Sequence, residues 1–366
     1  MSYLWYWPAG GWDFDVWKRR QSWEPIRSEQ SGQAEPLPLI APGTSRADWQ
    51  SSAKRWREVS DQILGTLTDQ PPIEFRWEWL GDTYRTDKYD LRRLRYTLTD
   101  SEWGYAWLML PEKPIALNAA VIAHHQTCVH GKAEPVGLDY VSDERSGVYY
   151  ARELAERGFV VLAPDAIAFG ERQAGHRNSM YKSADQFFAA HPQGSVMAKM
   201  AYDSSRAVDL LERLPEVQAR RIGCIGHSHG AYGTLFAMVV DERIAAGVMS
   251  CGISLLRDDP APDRWWRRTA LIPRLGHYAD RIDQTPIDFH HWLALCAPRH
   301  VFVIGGTNDH IFPNQAALPK RLEAVSEVYR LYDAPDALHS DVFEGLHTFR
   351  DEARERGYEM LARALG

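Results

Sequence analysis

One short stretch of the 366-residue chain combines a nucleophilic side chain with the glycine spacing of a sharp turn. The sequence GHSHG, residues 226–230, follows an apolar run over 222–225 and precedes helix-compatible sequence over 231–240. Glycines two positions before and after the serine let neighbouring backbone pack against a strained strand-to-helix corner. The strain would lift the Ser228 hydroxyl clear of the sheet, and N–H groups of the following helix would face the atom it attacks. We therefore predict a reactive serine, against the alternative that the pattern arises by chance in a loop.

A serine hydroxyl becomes a good nucleophile only when a base accepts its proton and a carboxylate orients that base. In the chain order serine, acid, histidine, the acid follows a later strand. Asp309 lies in the sequence GGTNDHIFP, residues 305–313, directly beyond an apolar strand that begins at Val301. We predict Asp309 as the acid; the alternative is an aspartate that caps a turn or the next helix.

Two histidines compete for the role of the base, which is expected to follow the last strand. His339 lies inside the predicted strand over 338–343, which would hold it within the sheet. His347 follows Glu-Gly-Leu on a loop that can turn over the sheet edge, and catalytic groups are often carried by such loops. We favour His347 as the base and interpret His339 as a strand residue.

The negative charge that forms on the attacked carbonyl oxygen needs two convergent hydrogen-bond donors. One predicted donor is the backbone N–H of His229, the residue after the nucleophile. The other is expected from the loop after the strand that ends near residue 123. The N–H of Thr127 is our first choice for this donor, and that of Gln126 is the alternative.

Three histidines in or near the same loop, His124, His125 and His130, raise the alternative of a metal site. Carboxylates or thiolates at ligand spacing do not accompany them in the sequence. We expect neither a metal nor an organic cofactor.

The elements that position these residues begin after an unusual N-terminal extension, residues 1–70. Residues 1–45 are rich in Trp, Pro and Gly without a sustained period and are interpreted as an extended arm. One amphipathic helix follows, with Trp49, Trp56 and Ile63 near one face, Ser45 or Thr44 as its N-cap and Gly65 as its stop. Core packing explains this tryptophan stripe better than cofactor binding.

The catalytic domain is predicted over residues 71–366. Short β-like runs over 73–80, 91–98 and 105–110, separated by Gly-Asp and Thr-Asp-Ser turns, predict an antiparallel start to a sheet. Alternating strands and helices follow: strands over 119–123, 159–163, 222–225, 245–250, 301–304 and 338–343, and helices over 147–156, 202–214, 231–240, 315–329 and 350–365. Repeated βα units with buried strands predict a mostly parallel sheet covered by helices on both faces.

An insertion over about 253–292 interrupts this rhythm at the carboxyl ends of two predicted strands, where open α/β sheets place their active sites. It is interpreted as a lid or substrate wall, with a purely structural excursion as the alternative. Five residues are predicted to line the substrate pocket from their place in the sequence alone: Tyr202, Trp265, Trp266, His310 and Phe312.

Composition narrows the possible partners. The net charge of −7 is spread along the chain and the short basic clusters have acidic neighbours, so a nucleic-acid partner is not expected. The first fifteen residues do not resemble a secretion signal, and no apolar stretch approaches about eighteen residues. A cytoplasmic enzyme that does not enter membranes, with four reduced thiols, is the simplest interpretation.

The chain resembles the α/β-hydrolase superfamily, and more narrowly the serine esterases similar to dienelactone hydrolases and acetyl xylan esterases. The resemblance covers residues 115–366 and leaves the first 70 residues without a counterpart. HTF at 347–349 resembles the sequence around the base of this family, which favours His347 over His339. The other supporting motifs are HQT at 125–127, GK at 131–132, RGF at 157–159, APD at 163–165, FGER at 169–172, YD at 202–203, RA at 206–207, RIG at 221–223, DERI at 241–244 and APR at 297–299.

Two departures from the family pattern stand out. His229 occupies a position where relatives often carry Leu, Met or Gln, and true dienelactone hydrolases resemble this fold with a cysteine where this chain has Ser228. We expect a serine hydrolase of small carboxylic esters that uses Ser228, His347 and Asp309. The alternatives are a C–C bond hydrolase or amidase with the same triad, and a non-catalytic binding protein. The tryptophan-rich arm could also mediate a homo-oligomer.

Overall fold

The computed structural model of the protein describes residues 14–19, 23–26, 39–65, 67, 73–114, 118–138, 147–173, 187–267 and 270–366. A nine-stranded sheet forms its centre, in the order β1-β2-β3-β5-β4-β6-β7-β8-β9. The strands are β1 Trp77–Arg85, β2 Tyr89–Thr99, β3 Glu102–Pro111, β4 Ala120–His124, β5 Val160–Pro164, β6 Ile222–His227, β7 Ile244–Ser250, β8 His300–Gly306 and β9 Leu338–Phe343.

The sheet has an antiparallel part and a larger parallel part. Strands β1, β2, β3 and β5 pair antiparallel, whereas β5, β4, β6, β7, β8 and β9 all pair parallel. The strands from β4 to β8 are almost entirely buried, as expected when helices cover both faces of a parallel sheet. The sheet and its helices confirm the predicted fold class.

Two apolar clusters lie on opposite faces of the sheet, because successive strand residues point in opposite directions. In β4, Ile122 joins one cluster, whereas Val121 and Ala123 join the other. The helices are α1 Phe14–Arg19, α2 Arg46–Leu64, α3 Tyr150–Glu156, α4 Val196–Leu211, α5 His229–Val240, α6 Phe289–Ala294, α7 Leu318–Leu331 and α8 Asp351–Leu365. The first cluster contains residues of α1, α2, α4, α5, α6 and α7, and the second contains residues of α3 and α8.

The antiparallel part differs from the sequence prediction at its first strand. The predicted Gly-Asp turn lies inside β1, where the pairing register with β2 shifts between Trp79 and Thr83. Gly81 has a φ of 76°, a conformation that glycine adopts without a Cβ clash. The dipeptide therefore forms a bulge that lets the strand continue to Arg85, and the chain reverses only afterwards.

Several helix starts also differ from the predictions. Helix α4 begins at Val196 rather than at residue 202, because the Ser195 hydroxyl accepts a hydrogen bond from the Ala198 N–H and caps it. The helix predicted from residue 315 begins with a 3₁₀ turn and becomes α-helical at Leu318. Helix α2 has its predicted N-cap, Ser45, in a capping box with Asp48.

The described pieces of the N-terminal arm pack on the insertion of the same chain. The arm is not wholly extended, since α1 lies within it. Trp23 stacks edge-on against His277 with ring centroids 5.0 Å apart, and the Tyr278 hydroxyl donates to the Ile26 carbonyl at 2.9 Å. Three further tryptophans of the arm, Trp5, Trp7 and Trp12, lie outside the described residues.

The insertion is built from short 3₁₀ turns and α6, and its large side chains are buried. Trp265, Tyr278 and Trp292 are each at most 2% exposed, so this segment is part of the core rather than a loosely attached flap. In the described parts of the chain, no helix has both the length and the apolar composition needed to cross a bilayer.

Candidate active site

Ser228 occupies a strained corner between β6 and α5. Its φ of 55° and ψ of −116° are unfavourable for a residue with a Cβ atom. The two flanking glycines make the corner possible: a Cβ on Gly226 would overlap the backbone of Gly230, and a Cβ on Gly230 would overlap the His124 carbonyl. The Ser228 N–H donates to the Ser250 carbonyl at 2.7 Å, which ties the corner to the end of β7.

Asp309 and His347 are hydrogen bonded to each other. His347 Nδ1 lies 2.6 Å from Asp309 Oδ2, and the other carboxylate oxygen accepts the N–H groups of Ile311 and Phe312 at 2.8 and 3.0 Å. Because an ionised carboxylate only accepts, Nδ1 carries the proton and Nε2 is left as the basic nitrogen. The Asp309 side chain is fully buried and that of His347 is 13% exposed, so the imidazole alone of this pair reaches solvent.

The same imidazole lies beside the serine corner. The ring of His227, the residue before Ser228, lies 4.8 Å from the ring of His347, and its Nδ1 lies 3.0 Å from Ser250 Oγ. Burial holds the pKa of His227 well below its usual value, so this ring is neutral and places no positive charge against His347. The three residues predicted as a triad thus follow β6, β8 and β9 at one edge of the sheet.

His339, the competing histidine, stays within β9 as the sequence indicated. Its register partner on β8 is Phe302, and the two rings meet edge-on with centroids 6.1 Å apart. The structure therefore brings His347, rather than His339, into contact with Asp309.

The loop proposed to supply the second oxyanion donor starts at the end of β4, directly under α5. The close approach of Gly230 to the His124 carbonyl places this loop against the first turn of the helix. The Gln126 side chain donates to Glu134 at 2.9 Å and is therefore occupied. The backbone N–H groups of Gln126 and Thr127 remain the two candidate donors.

The His229 imidazole lies in an aromatic cluster instead of extending freely toward solvent. It is stacked on His125 at 5.8 Å, and the rings of Phe169 and Tyr232 lie 4.9 and 5.2 Å away. Burial lowers its pKa to about 3, so the ring is neutral at ordinary pH. Its Nδ1 has no hydrogen-bond partner among the described residues.

Three of the nominated pocket residues lie near the base. Phe312 and the exposed His310 have ring centroids 5.8 and 6.4 Å from that of His347, and Trp265 stacks on Phe312 at 6.3 Å. Their aromatic rings form a wall beside the imidazole.

The other two nominated residues make their contacts elsewhere. The Tyr202 hydroxyl donates to the Leu98 carbonyl of β2 at 2.8 Å, on the antiparallel side of the sheet. Trp266 lies against Gly276, where the arm residue Phe14 also packs. Neither has a described contact with Asp309 or His347.

Cys251 was not singled out by the sequence, yet it lies next to the acid and the base. Its sulfur and the ligand atoms of Asp309 and His347 lie within 4.8 Å of one another, a grouping that could in principle hold a metal ion. The carboxylate and imidazole already bond to each other, and the thiol contacts the Thr348 carbonyl at 3.4 Å. Burial and the nearby Asp309 raise the pKa of Cys251 to about 12, which disfavours the thiolate that a metal would require.

Buried ion pairs hold the loops around the predicted oxyanion donors. The Lys132 ammonium bonds to the buried Asp165 carboxylate and to Glu171 at 2.6 Å, joining the loop after β4 to the loop after β5. Arg172 in the second loop bonds to Asp203 of α4 at 2.7 Å. Both lysine and arginine side chains are at most 5% exposed, so these pairs are part of the support beneath the site.

Comparisons with known proteins agree with this fold. YtaP of Bacillus subtilis (strain 168) is 29% identical over 279 residues, which are 72% of this chain and 84% of YtaP. The 4-O-methyl-glucuronoyl methylesterase of Hypocrea jecorina (strain QM6a) is 27% identical over 269 residues, covering 64% of this chain and 56% of that protein. A glucuronoyl esterase from Solibacter usitatus has the same fold, with a TM-score of 0.72 and 16% identity over 91% of this chain and 99% of its own.

The family model matches a longer part of the chain than any single sequence motif does. The model of the dienelactone hydrolase family matches residues 140–365, which include the serine corner, Asp309 and His347. This match covers more than half of the chain, and the predicted α/β-hydrolase fold is confirmed. The chain therefore belongs to the dienelactone hydrolase family and is a carboxylic ester hydrolase.

Proposed function

We propose that the protein hydrolyses carboxylic esters through an acyl-enzyme intermediate on Ser228. The Ser228 oxygen attacks the ester carbonyl while His347 Nε2 accepts the hydroxyl proton. The tetrahedral intermediate collapses when the imidazolium returns this proton to the departing alcohol. A water molecule, deprotonated by the same nitrogen, then attacks the acyl group. The bond to the Ser228 oxygen breaks as this oxygen takes the proton back from His347, and the acid is released.

The observation that carries this proposal is the hydrogen bond of 2.6 Å between His347 Nδ1 and Asp309 Oδ2, formed beside the serine corner. A buried carboxylate in that position fixes the imidazole tautomer and stabilises the imidazolium that forms during the reaction. The two further N–H groups that Asp309 accepts hold the carboxylate in place, so its orientation does not depend on the histidine.

The proposed oxyanion hole consists of the backbone N–H groups of His229 and Thr127. The N–H of His229 lies at the first residue of α5, where the helix leaves its initial N–H groups without intrahelical partners. Donors of this kind stabilise the charge that develops in the transition state, because they are already oriented before reaction.

For the substrate class we propose carboxylic esters of carbohydrates. The support is the relationship to the 4-O-methyl-glucuronoyl methylesterase, although this chain spans only 56% of that protein. Of the three aromatic rings near the base, that of His310 is exposed and accessible to a sugar ring, whereas Trp265 and Phe312 are buried.

The test combines labelling and turnover. A fluorophosphonate probe is expected to label the wild type and not Ser228→Ala, and this variant is expected to lose about four to six orders of magnitude in kcat. Ser326→Ala is the matched control, because its hydroxyl is exposed and bonds only to its own helix turn. Wild-type ester turnover by Ser228→Ala would overturn the nucleophile assignment.

A substrate panel tests the bond and the substrate class. It compares a methyl ester of glucuronic acid, an acetylated xylo-oligosaccharide, p-nitrophenyl acetate, an anilide and a β-diketone. Higher kcat/KM for the two carbohydrate esters than for the simple ester would support the proposed class. Preference for the anilide or the β-diketone would instead identify an amidase or a C–C bond hydrolase.

A further inference from the structure

We propose that His125 is a positioning residue for the oxyanion hole, because it fixes the orientation of the peptide between Gln126 and Thr127. This inference rests on the proposed function, in which the Thr127 N–H is the second oxyanion donor. It gives a role to a histidine that the sequence analysis had considered as a metal ligand and as part of the HQT motif.

The hydrogen bonds of His125 define its protonation state. The Ala166 backbone N–H donates to His125 Nε2 at 3.1 Å, so this nitrogen carries no proton. The other nitrogen, Nδ1, lies 2.6 Å from the Gln126 carbonyl oxygen, which can only accept. A neutral imidazole with its proton on Nδ1 satisfies both bonds, whereas every other form leaves two donors or two acceptors facing each other.

The bond to the Gln126 carbonyl determines where the next N–H points. The peptide between residues 126 and 127 is not among the cis peptides of the described chain, and a trans peptide directs its C=O and N–H to opposite sides. With the Gln126 carbonyl held toward the imidazole, the Thr127 N–H must point away from it. Rotation of this peptide would break the hydrogen bond to Nδ1 and turn the Thr127 N–H to the opposite side.

The imidazole itself is held rigidly, so it can impose this orientation. His125 is 1% exposed, and its ring is stacked on His229 with an interplanar angle of 16°. The Phe169 ring meets it edge-on at 5.1 Å. Through these contacts His125 connects the corner around Ser228, here called the elbow, with the loop after β4 and the loop after β5. The two predicted oxyanion donors therefore share one support.

Two variants separate the two hydrogen bonds of His125. Asparagine places an amide near the level of Nδ1 and can still donate to the Gln126 carbonyl, while it loses the bond to Ala166. Glutamine reaches the level of Nε2 and can accept from Ala166, while it leaves the Gln126 carbonyl free. We expect His125→Gln to lower kcat by about 100-fold, the usual effect of losing one oxyanion donor, with KM nearly unchanged. We expect His125→Asn to lose less than about tenfold.

Binding of a boronic acid provides a readout that a merely structural role would not change. Its tetrahedral adduct with the serine places an oxygen in the oxyanion hole, so its affinity should fall in parallel with kcat in His125→Gln and be largely retained in His125→Asn. Both variants are compared with the wild type by thermal unfolding. Should His125→Gln not fold, His125→Asn alone decides: a retained kcat supports the inference, and a 100-fold loss overturns it.

Equal losses of kcat in folded His125→Gln and folded His125→Asn would also overturn the inference. The loss would then not depend on the hydrogen bond to the Gln126 carbonyl. Labelling with the fluorophosphonate distinguishes this failure from that of the proposed function. If Ser228 in the wild type is labelled and His125→Gln keeps the wild-type kcat, the role of His125 is wrong and the triad stands. If the wild type is not labelled at Ser228, the proposed function fails, and the role of His125 fails with it.

Discussion

The imidazole rings of His227 and His347 lie 4.8 Å apart, so the residue before Ser228 is packed against the predicted base. His227 belongs to the central strand β6 and His347 to the loop after the edge strand β9. The contact crosses two intervening strands, β7 and β8, at the carboxyl edge of the sheet. It shows that the loop after β9 reaches back to the corner around Ser228.

The first prediction concerns the identity of the base. We expect His347→Gln to lower kcat by about four to six orders of magnitude, because the His347 imidazole is the group proposed to accept the serine proton. His339→Gln is the matched control, and it should keep kcat within a few-fold because His339, in β9, contacts Phe302 of β8. Steady-state kinetics with p-nitrophenyl acetate measures both. A large loss in His339→Gln with an active His347→Gln would reverse the assignment.

The second prediction concerns the acid. In Asp309→Asn the amide can donate to His347 and select the wrong tautomer, so we expect kcat to fall by about 10⁴-fold. The fold should persist, because the remaining oxygen still accepts the N–H groups of Ile311 and Phe312. Asp336→Asn, at an exposed position, is the control. A loss smaller than tenfold in a folded Asp309→Asn would contradict the role of this carboxylate.

Local features explain why part of the site could be predicted from the sequence. The elbow depends on glycines at fixed spacing, and their effect is visible in the sequence because a Cβ on either would overlap nearby backbone. Asp309 and His347 were predicted because each follows a recognisable strand. The roles of the three residues in catalysis stay predictions until the variants are measured.

The features that sequence analysis missed depend on contacts between distant segments. The neighbours of Cys251 and His227 become visible only when β7, β8 and β9 are aligned in register. The bulge at Gly81 resembles a turn in sequence, because both use glycine to adopt a positive φ. The hydrogen bonds of His125 involve backbone groups, which carry no sequence signal at all.

The third prediction concerns the glycines of the elbow. Gly230→Ala would place a Cβ against the His124 carbonyl, which is fixed backbone, so we expect a loss of stability of about 3 kcal/mol or more. In Gly233→Ala, one turn later in α5, the Cβ would approach the end of the flexible Met200 side chain most closely and make ordinary contact with the His124 side chain. This substitution should change stability by less than about 1 kcal/mol. Urea unfolding compares the two, and equal destabilisation would contradict the packing described for the elbow.

The fourth prediction concerns the dependence of stability on pH. Burial lowers the pKa values of His124, His229 and His290 to about 3. The unfolded chain binds a proton at each near pH 6.5, so the unfolded state binds more protons below that pH and stability falls as the pH drops from about 6.5 towards 3. Lowering the pH from 7 to 5 should reduce the free energy of unfolding by about 2 kcal/mol for each such histidine. The reduction is measured as a decrease in the urea midpoint.

His290 provides the matched test of this explanation, because it lies in the insertion away from the serine corner. His290→Phe should reduce the difference in unfolding free energy between pH 7 and 5 by about 2 kcal/mol. Ser326→Ala, which removes no titratable group, should leave the difference unchanged. An unchanged difference in His290→Phe would show that this histidine is not held neutral in the folded protein.

The last prediction concerns the tryptophan-rich arm. Trp17 is 6% exposed, and its indole N–H donates to the Pro192 carbonyl at 3.2 Å, so it is part of the core of its own chain. We expect Trp17→Ala to cost about 3–5 kcal/mol in stability and to make the insertion more sensitive to trypsin. Trp79→Ala is the control, because Trp79 is 40% exposed and its removal should cost much less. If the arm packs on its own chain, deletion of residues 1–38 will lower the thermal midpoint. The number of chains per particle, obtained from the molar mass in solution, will then stay the same. A decrease in the number of chains per particle would instead assign the arm to an interface between copies of the protein.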